Sequence, residues 1–190
     1  MKSQNLADSL YSGLVSLPGV RHVKIYENNT ATADPVYDIP SHTFKVLIHG
    51  GDDNEIARMI WLNTPITIGT AGSTTMTVKD SMDELHTIKF SRPSFTPIYI
   101  TIDLTTDTQF PADGVNKIKV ALVDYFEDSF IIGQDVIYSR LFTPINSVIG
   151  HQVDSLKVGT SPSPSGTTNV PIDFDKIVSL SSSNIIINIA

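Results

Sequence analysis

The sequence predicts an α+β fold with two small domains, residues 1–93 and 94–190, each a short, mostly antiparallel sheet with helices packed on one face. Three observations predict it. Apolar residues alternate with polar ones in several short runs, which is the period of a half-buried strand. Apolar residues three and four apart lie between these runs and indicate helices. The stretch 91–94 separates two halves of similar size and class.

The predicted order in the first half is α-β-β-α-β-β. A leading helix is indicated by leucines at spacings of four, four and three, at Leu6, Leu10, Leu14 and Leu17. Pro18 and Gly19 end it. Strands follow at 20–27 and 44–49, with a polar, proline-containing loop at 28–41 between them. A second helix begins at Asp52 and is closed by Pro65. Alternating runs at 75–78 and 87–90 flank residues 79–85 and predict a hairpin.

The predicted order in the second half is β-α-α-β-β, a small antiparallel sheet with helices on one face. The clearest strand places four aliphatic residues on one side, at Ile98, Ile100, Ile102 and Leu104. Pro111 is predicted in the first turn of a helix. Residues 136–149 have helical spacing, which Pro144 should break or kink. A strand at 153–158, a Ser/Pro/Gly-rich loop at 160–168 and a terminal strand at 185–189 complete the half.

Composition excludes several classes of function. The chain has 190 residues, a net charge of −7 and only 13 Lys and Arg, which form no basic stripe, so a nucleic-acid partner is not expected. Without cysteine, disulfides and thiolate metal sites are excluded. We expect neither a secretion signal nor a membrane association. The first eight residues lack an apolar core, and no apolar run approaches the roughly 18 residues of a membrane span.

The turn before the second helix is the most prominent motif. Gly50 and Gly51 predict a tight turn, and Asp52 with Glu55 three residues later resembles a capping box. The alternative is a site for a hard cation formed by Asp52, Asp53 and His49. We favour the helix cap, because a calcium loop needs a further set of spaced oxygen ligands that is missing here. No metal ion or cofactor is therefore predicted.

Other candidate motifs also favour structural roles. Gly69 and Gly72 lack the following Lys-Ser/Thr of a phosphate-binding loop and precede a strand, so they are predicted as turn glycines. The five histidines include no i, i+4 pair, and the serines include no G-x-S-x-G elbow. The acidic residues between 80 and 84 are predicted to be a solvated hairpin tip. No catalytic residue is predicted.

The terminal strand is the clearest indication of an assembly role. Ile185, Ile187 and Ile189 belong to an apolar, strongly β-prone segment that would aggregate as a bare edge. We therefore expect it to be central in its sheet or covered by another subunit. Trp61 is interpreted as a core residue, with an interface anchor as the alternative.

Several short motifs, taken in order, resemble the baseplate J-like family of contractile-tailed bacteriophages and phage-like injection machines. They include the Pro18-Gly19-Val20 entry, the closing strand Asn184-Ile185-Ile186-Ile187-Asn188, and the segments Ile48–Ala57, Gly69–Gly72, Phe90–Pro93 and Val148–Val153. The similarity spans most of the chain. Members of that family are usually longer, so this chain resembles their C-terminal portion.

The resemblance implies a structural wedge protein without catalysis. Such a protein binds other wedge and tail proteins, and copies of itself within the assembled baseplate, and helps to couple host contact to sheath contraction. It implies a location in the tail baseplate of the virion, after assembly in the host cytoplasm. Interface candidates are residues 28–41, residues 160–168 and the strand with Ile185, Ile187 and Ile189.

Two other classes of function remain as alternatives. One is a metal-dependent hydrolase centred on Asp52, Asp53 and His49, which requires these side chains to converge. The other is a ligand-binding module of a tail, which usually exposes aromatic side chains on a concave face. Tyr26, Tyr37 and Tyr99 are too scattered in the sequence to suggest such a face.

Overall fold

A computed structural model describes residues 6–65 and 68–190 of the chain, apart from the side chain of Leu6. The chain divides into two compact units, residues 1–93 and 94–190. Both units mix helices with short sheets of two or three strands, which confirms the α+β fold class. Within the described part, no helix is long and apolar enough to cross a membrane.

In residues 6–65 and 68–93 of the first unit, the structure describes two helices and five strands. The helices are α1 (Leu6–Val15) and α2 (Asp53–Leu62), and the strands are β1 (Val20–Asn28), β2 (Thr43–Gly50), β3 (Gly69–Ala71), β4 (Thr74–Lys79) and β5 (Leu85–Phe90). β1 pairs antiparallel with β2, and β4 and β5 form the predicted hairpin. Alternating residues of β2 pack against both helices and against β5 in one core, with Leu14, Val46, Ile56, Ile60 and Phe90 at its centre.

The strand β3 corrects the sequence interpretation of residues 69–72. These residues are predicted as a turn, but Gly69–Ala71 pairs in parallel with the start of β2. Gly72 then lies against the end of β5. A Cβ at this position would be 2.2 Å from the carbonyl oxygen of Phe90, so only glycine fits. A three-residue strand has too short a pattern to be recognised by periodicity.

The second unit contains two α-helices, two 3₁₀ turns and five strands. The strands are β6 (Ser94–Pro97), β7 (Tyr99–Thr106), β8 (His151–Gly159), β9 (Lys176–Ser179) and β10 (Ile185–Ile189). The helices are α3 (Gly114–Ser129) and α4 (Phe142–Ile145), and the 3₁₀ turns are Tyr138–Leu141 and Ser182–Asn184. The predicted apolar face is fully buried, at Ile98 directly before β7 and at Ile100, Ile102 and Leu104 within it.

The sheet of the second unit is mixed rather than antiparallel. Its strand order is β10-β7-β8, with β8 antiparallel and β10 parallel to β7. The short strands β6 and β9, which were not predicted, also pair in parallel. β6 runs directly into β7, and β9 precedes β10. The C-terminal segment therefore pairs in parallel with the same earlier segment at two places, through β9 with β6 and through β10 with β7. The parallel partner depends on contacts between residues about 85 positions apart, which no local pattern specifies.

Two helix predictions in the second unit need correction. Pro111 precedes α3, which begins at Gly114 and buries Ile118, Leu122 and Phe126. The helical spacing over 136–149 yields only the 3₁₀ turn and the single turn of α4. Pro144 lies in that turn, where its missing N–H is tolerated. Val136 is instead held extended by a bridge to Val170.

Candidate functional site

Two glycines of the first unit allow two segments of the chain to approach closely. Gly50 and Gly51 both have positive φ, at 81° and 77°. A Cβ on Gly50 would be 2.1 Å from the carbonyl oxygen of Gly19, and one on Gly51 would be 2.5 Å from Cγ2 of Val20. The turn before α2 therefore packs against the entry to β1, which brings the Pro-Gly-Val and Gly-Gly-Asp motifs together.

Asp52 is the N-cap of α2. Its Oδ1 accepts hydrogen bonds from the backbone N–H groups of Asn54, at 2.9 Å, and Glu55, at 3.1 Å. Its extended backbone, with ψ of 137°, is typical of a cap. The return bond of a full capping box, from the Glu55 carboxylate to the Asp52 N–H, is not found among the described hydrogen bonds. Asp53 and Glu55 place negative charge in the first helical turn.

Arg92 connects the turn to the last residues of the unit. Its guanidinium donates to the carbonyl oxygens of Ile48, at 3.1 Å, Gly51, at 3.0 Å, and Gly50, and it forms an ion pair with Asp53. The same group lies 5.4 Å from the ring centroid of Phe90. We call Gly50, Gly51, Asp53 and Arg92 the arginine node.

Ser91, next to the node, ties the hairpin to β2. Its N–H donates to Val46 O at 2.8 Å, and its carbonyl accepts from Ile48 N at 3.1 Å. Its buried hydroxyl accepts from Ser73 N at 3.1 Å. The motifs at 69–72 and 90–93 therefore meet at one place. The sequence analysis includes Arg92 in the Phe90–Pro93 motif but predicts no role for it, although an arginine can join such turns through several backbone carbonyls.

The predicted alternative of a metal site does not assemble. Among the described residues, no three His, Asp or Glu side chains are arranged to hold an ion. The Asp52 carboxylate is engaged by its own helix, and that of Asp53 by Arg92. His49 stacks on His22 instead, with 6.0 Å between ring centroids and 19° between planes.

The stacked pair His22 and His49 is a cross-strand pair of β1 and β2. Burial is the main cause that lowers the pKa of each imidazole. The charge of Arg21 lowers the pKa of both, and His22 and Arg92 lower that of His49 further. Both rings are therefore held towards the neutral form, as expected for imidazoles among like charges.

The β4–β5 hairpin is organised by Asp80. Its Oδ1 accepts the N–H groups of Met82 and Glu84, at 2.8 and 3.0 Å, and its Oδ2 lies 3.0 Å from His86 Nε2. His86 in turn stacks on Trp61 of α2, with 3.8 Å between centroids. The bond with His86 is the largest of the effects that lower the pKa of Asp80. The tip was predicted to be merely solvated, but Asp80 is a fixed part of it.

The strand β10 lies at the edge of its sheet, so the predicted central position is wrong. Ile185 is buried and Ile187 is half-buried, whereas Ile186 and Ile189 are 48% and 50% exposed. The other expectation, that a further subunit covers Ile185, Ile187 and Ile189, stays a prediction.

Tyr26 and Tyr37 were predicted to be scattered, yet they stack on each other with 4.4 Å between ring centroids. Facing rings do not form an open platform for a ligand. A nearby cleft of about 460 Å³ has an apolar lining that includes Leu10, Ile25 and Phe44. Glu27 and the exposed His42 also line this cleft. The cleft alone indicates no particular chemistry.

Comparison with known proteins gives one informative result. No protein-family model matches the chain, and no curated protein matches it. Among solved structures, the chain is similar to a chain in the cryo-EM structure of the anti-feeding prophage (AFP) baseplate, six-fold symmetrised, with a TM-score of 0.50 and 12% identity. The match covers 90% of this chain and 36% of the other. At this identity the likeness shows a shared fold.

Proposed function

We propose that the chain is a structural component of a phage-like contractile tail baseplate, and that it belongs with the wedge proteins of the baseplate J-like type. The observation that carries the proposal is the fold similarity to a baseplate chain over 90% of this chain. That match spans about a third of the baseplate protein, 36%, so the role of the whole protein is part of the proposal.

The positions of the motifs support a structural role. Four of the segments that resemble the baseplate J-like family lie around the arginine node: the entry at 18–20, the turn at 50–52, Gly72 and residues 90–92. There they hold backbone segments together through hydrogen bonds and close packing. Their polar groups are occupied by partners within the unit, so they are poorly placed for catalysis. The proposed structural role is therefore carried by surfaces that contact other proteins.

The two units are proposed to be separate domains that fold independently. Each has its own apolar core, one centred on β2 and the other on β7. The proposed partners are other wedge and tail proteins and further copies of the chain. The proposed location is the tail baseplate, with assembly in the host cytoplasm. Residues 28–41, residues 160–168 and β10 are the proposed contact regions.

Co-purification tests this function. The chain is co-expressed with each of the tail proteins encoded next to it, and the products are separated by size-exclusion chromatography with light scattering. We expect a complex of defined stoichiometry with at least one neighbour. The matched control replaces that neighbour with a tail protein from an unrelated phage. A chain that binds none of its neighbours, or binds the control equally well, would contradict the proposal.

A further inference from the structure

Within the second unit, whose residues are all described, β10 has no strand partner on its outer edge. On its other edge, β10 pairs with β7 over all five residues, from Ile185↔Ile100 to Ile189↔Leu104. The preceding strand, β9, has a further backbone contact besides its pairing with β6: Gly133 donates its N–H to the carbonyl oxygen of Lys176 at 2.8 Å. Among the described residues, no backbone hydrogen bond joins 186–189 to anything outside the ladder with β7.

The backbone groups that remain open can be identified by alternation. Ala190 donates its N–H to Leu104 O at 2.9 Å, so residues 186, 188 and 190 direct their backbone groups to β7. Residues 185, 187 and 189 then direct theirs outward. The N–H of Ile185 is already used, because it donates to Ser182 O in the preceding 3₁₀ turn. The open donors are therefore those of Ile187 and Ile189.

This edge has none of the usual protection against pairing. The segment Ile185–Ile189 contains no proline and no charged side chain, and its register with β7 is regular. Natural edge strands are usually blocked by lysine, proline, a bulge or a covering segment. An open, apolar, regular edge is the form that accepts a further strand.

We propose that β10 pairs with β10 of a second copy of this chain, antiparallel and centred on Asn188. In this register Ile187 faces Ile189 of the partner copy, and each pair exchanges two hydrogen bonds. The two open N–H groups and the two matching carbonyls of each copy are then all used. A register centred on Ile187 would instead require the N–H of Ile185, which is occupied.

The side chains are compatible with this pairing. The half-exposed Ile189 of one copy is covered by Ile187 of the other, on the face that continues the core. On the opposite face the two Asn188 amides meet, and each is held by its own Asp103, at 2.7 Å from Nδ2 to Oδ1. The two Asp103 carboxylates lie three strand spacings apart, about 14 Å. That separation exceeds the screening length of about 8 Å at physiological salt.

Electrostatics and size indicate a weak contact. One strand edge buries much less than the roughly 1,200 Å² typical of stable interfaces. The net charge of −7 also makes two copies repel each other at low salt. Self-association should therefore need high concentration and should strengthen as salt is added. In an assembly, neighbouring contacts would raise the effective concentration of the two edges. The pairing deepens the proposed baseplate function, on which it rests for its biological setting.

The experiment measures self-association of the purified full chain by sedimentation and light scattering over a wide concentration range. We expect the mean mass to rise from that of the 20.7 kDa chain towards that of a dimer. The variant Ile189→Lys should remain monomeric. Its matched control is Ile149→Lys, at a 66% exposed isoleucine of the same unit that lies outside β10, and this variant should associate like the unchanged chain. Hydrogen exchange by NMR should show concentration-dependent protection at the amides of Ile187 and Ile189.

Three results would overturn the pairing: a monomer at every concentration, equal loss of association in both variants, or association that leaves those two amides unprotected. The outcome is distinct from that of the co-purification. A monomeric chain that still binds a neighbouring tail protein would remove the pairing and leave the proposed function. A chain that dimerises but binds no neighbouring tail protein would support the pairing and contradict the proposed function.

Discussion

Replacing Arg92 tests whether the arginine node stabilises the first unit. In Arg92→Ala, four hydrogen bonds are lost: three to carbonyl oxygens and one to the Asp53 carboxylate. A net value of about 1 kcal/mol per bond would give about 4 kcal/mol. The Arg92 side chain is 32% exposed, so water can reach part of the site and the ion pair with Asp53 is worth under about 1 kcal/mol. We expect a loss of about 2–3 kcal/mol in the free energy of unfolding.

The assay is urea denaturation followed by tryptophan fluorescence. The single tryptophan, Trp61, lies on α2 and stacks on His86, so its emission reports on the first unit. Arg92→Lys keeps the charge but loses the planar fork, and it should recover less than half of the loss. The matched control is Arg58→Ala, at an exposed arginine on α2, which should change stability by under about 0.5 kcal/mol. If Arg92→Ala behaves like Arg58→Ala, the node is not a stabilising element.

Three further predictions concern the same unit and the same assay. Gly50→Ala should destabilise it by more than about 2 kcal/mol, since the residue has positive φ and a Cβ would meet Gly19 O; an unchanged urea midpoint would contradict this. Asp52→Ala should cost about 1 kcal/mol through loss of the helix cap, whereas Asp52→Asn should cost less, and equal losses would count against capping. Because the pKa values of His22 and His49 are lowered in the folded chain, the unfolded chain binds protons at these residues more readily as the pH falls. The free energy of unfolding should therefore be at its full value above about pH 6.5 and decrease as the solution becomes more acidic. The urea midpoint should therefore drop between pH 7.5 and 5.5, and a double substitution to glutamine should flatten this dependence; an equal drop in the double variant would assign the effect to other groups.

The parts of the fold that were predictable from the sequence are those that local periodicity determines. The residues Ile98, Ile100, Ile102 and Leu104 alternate without interruption, and all four are fully buried, the last three in β7 and Ile98 directly before it. The hairpin of β4 and β5 has the same kind of signal, because Met76 and Ile88 are paired in it. In each case the side chains of a single segment already show which face is buried.

The parts that could not be predicted depend on distant partners. β6 and β9 are four residues each, and they are strands because they pair with each other across about 80 positions. β10 was recognised as a strand, but its place at the edge follows from the parallel partner on β7. The role of Arg92 was not predictable for a related reason, since its acceptors lie about 40 positions earlier in the chain. Local pattern identifies an element, whereas its neighbours are decided by tertiary packing.

The distribution of polar groups between the two units suggests where function should be sought. Around the arginine node Ser91, Arg92 and Asp52 form hydrogen bonds with partners within the unit, and Gly50 and Gly51 leave no space for a Cβ. At β10 the reverse holds, because the N–H groups of Ile187 and Ile189 point outward from an apolar strand. Outward-facing backbone donors beside exposed isoleucines form a template on which a further strand can pair. Substitutions at the node should therefore change stability, whereas a substitution at the half-exposed Ile189 should change mainly association.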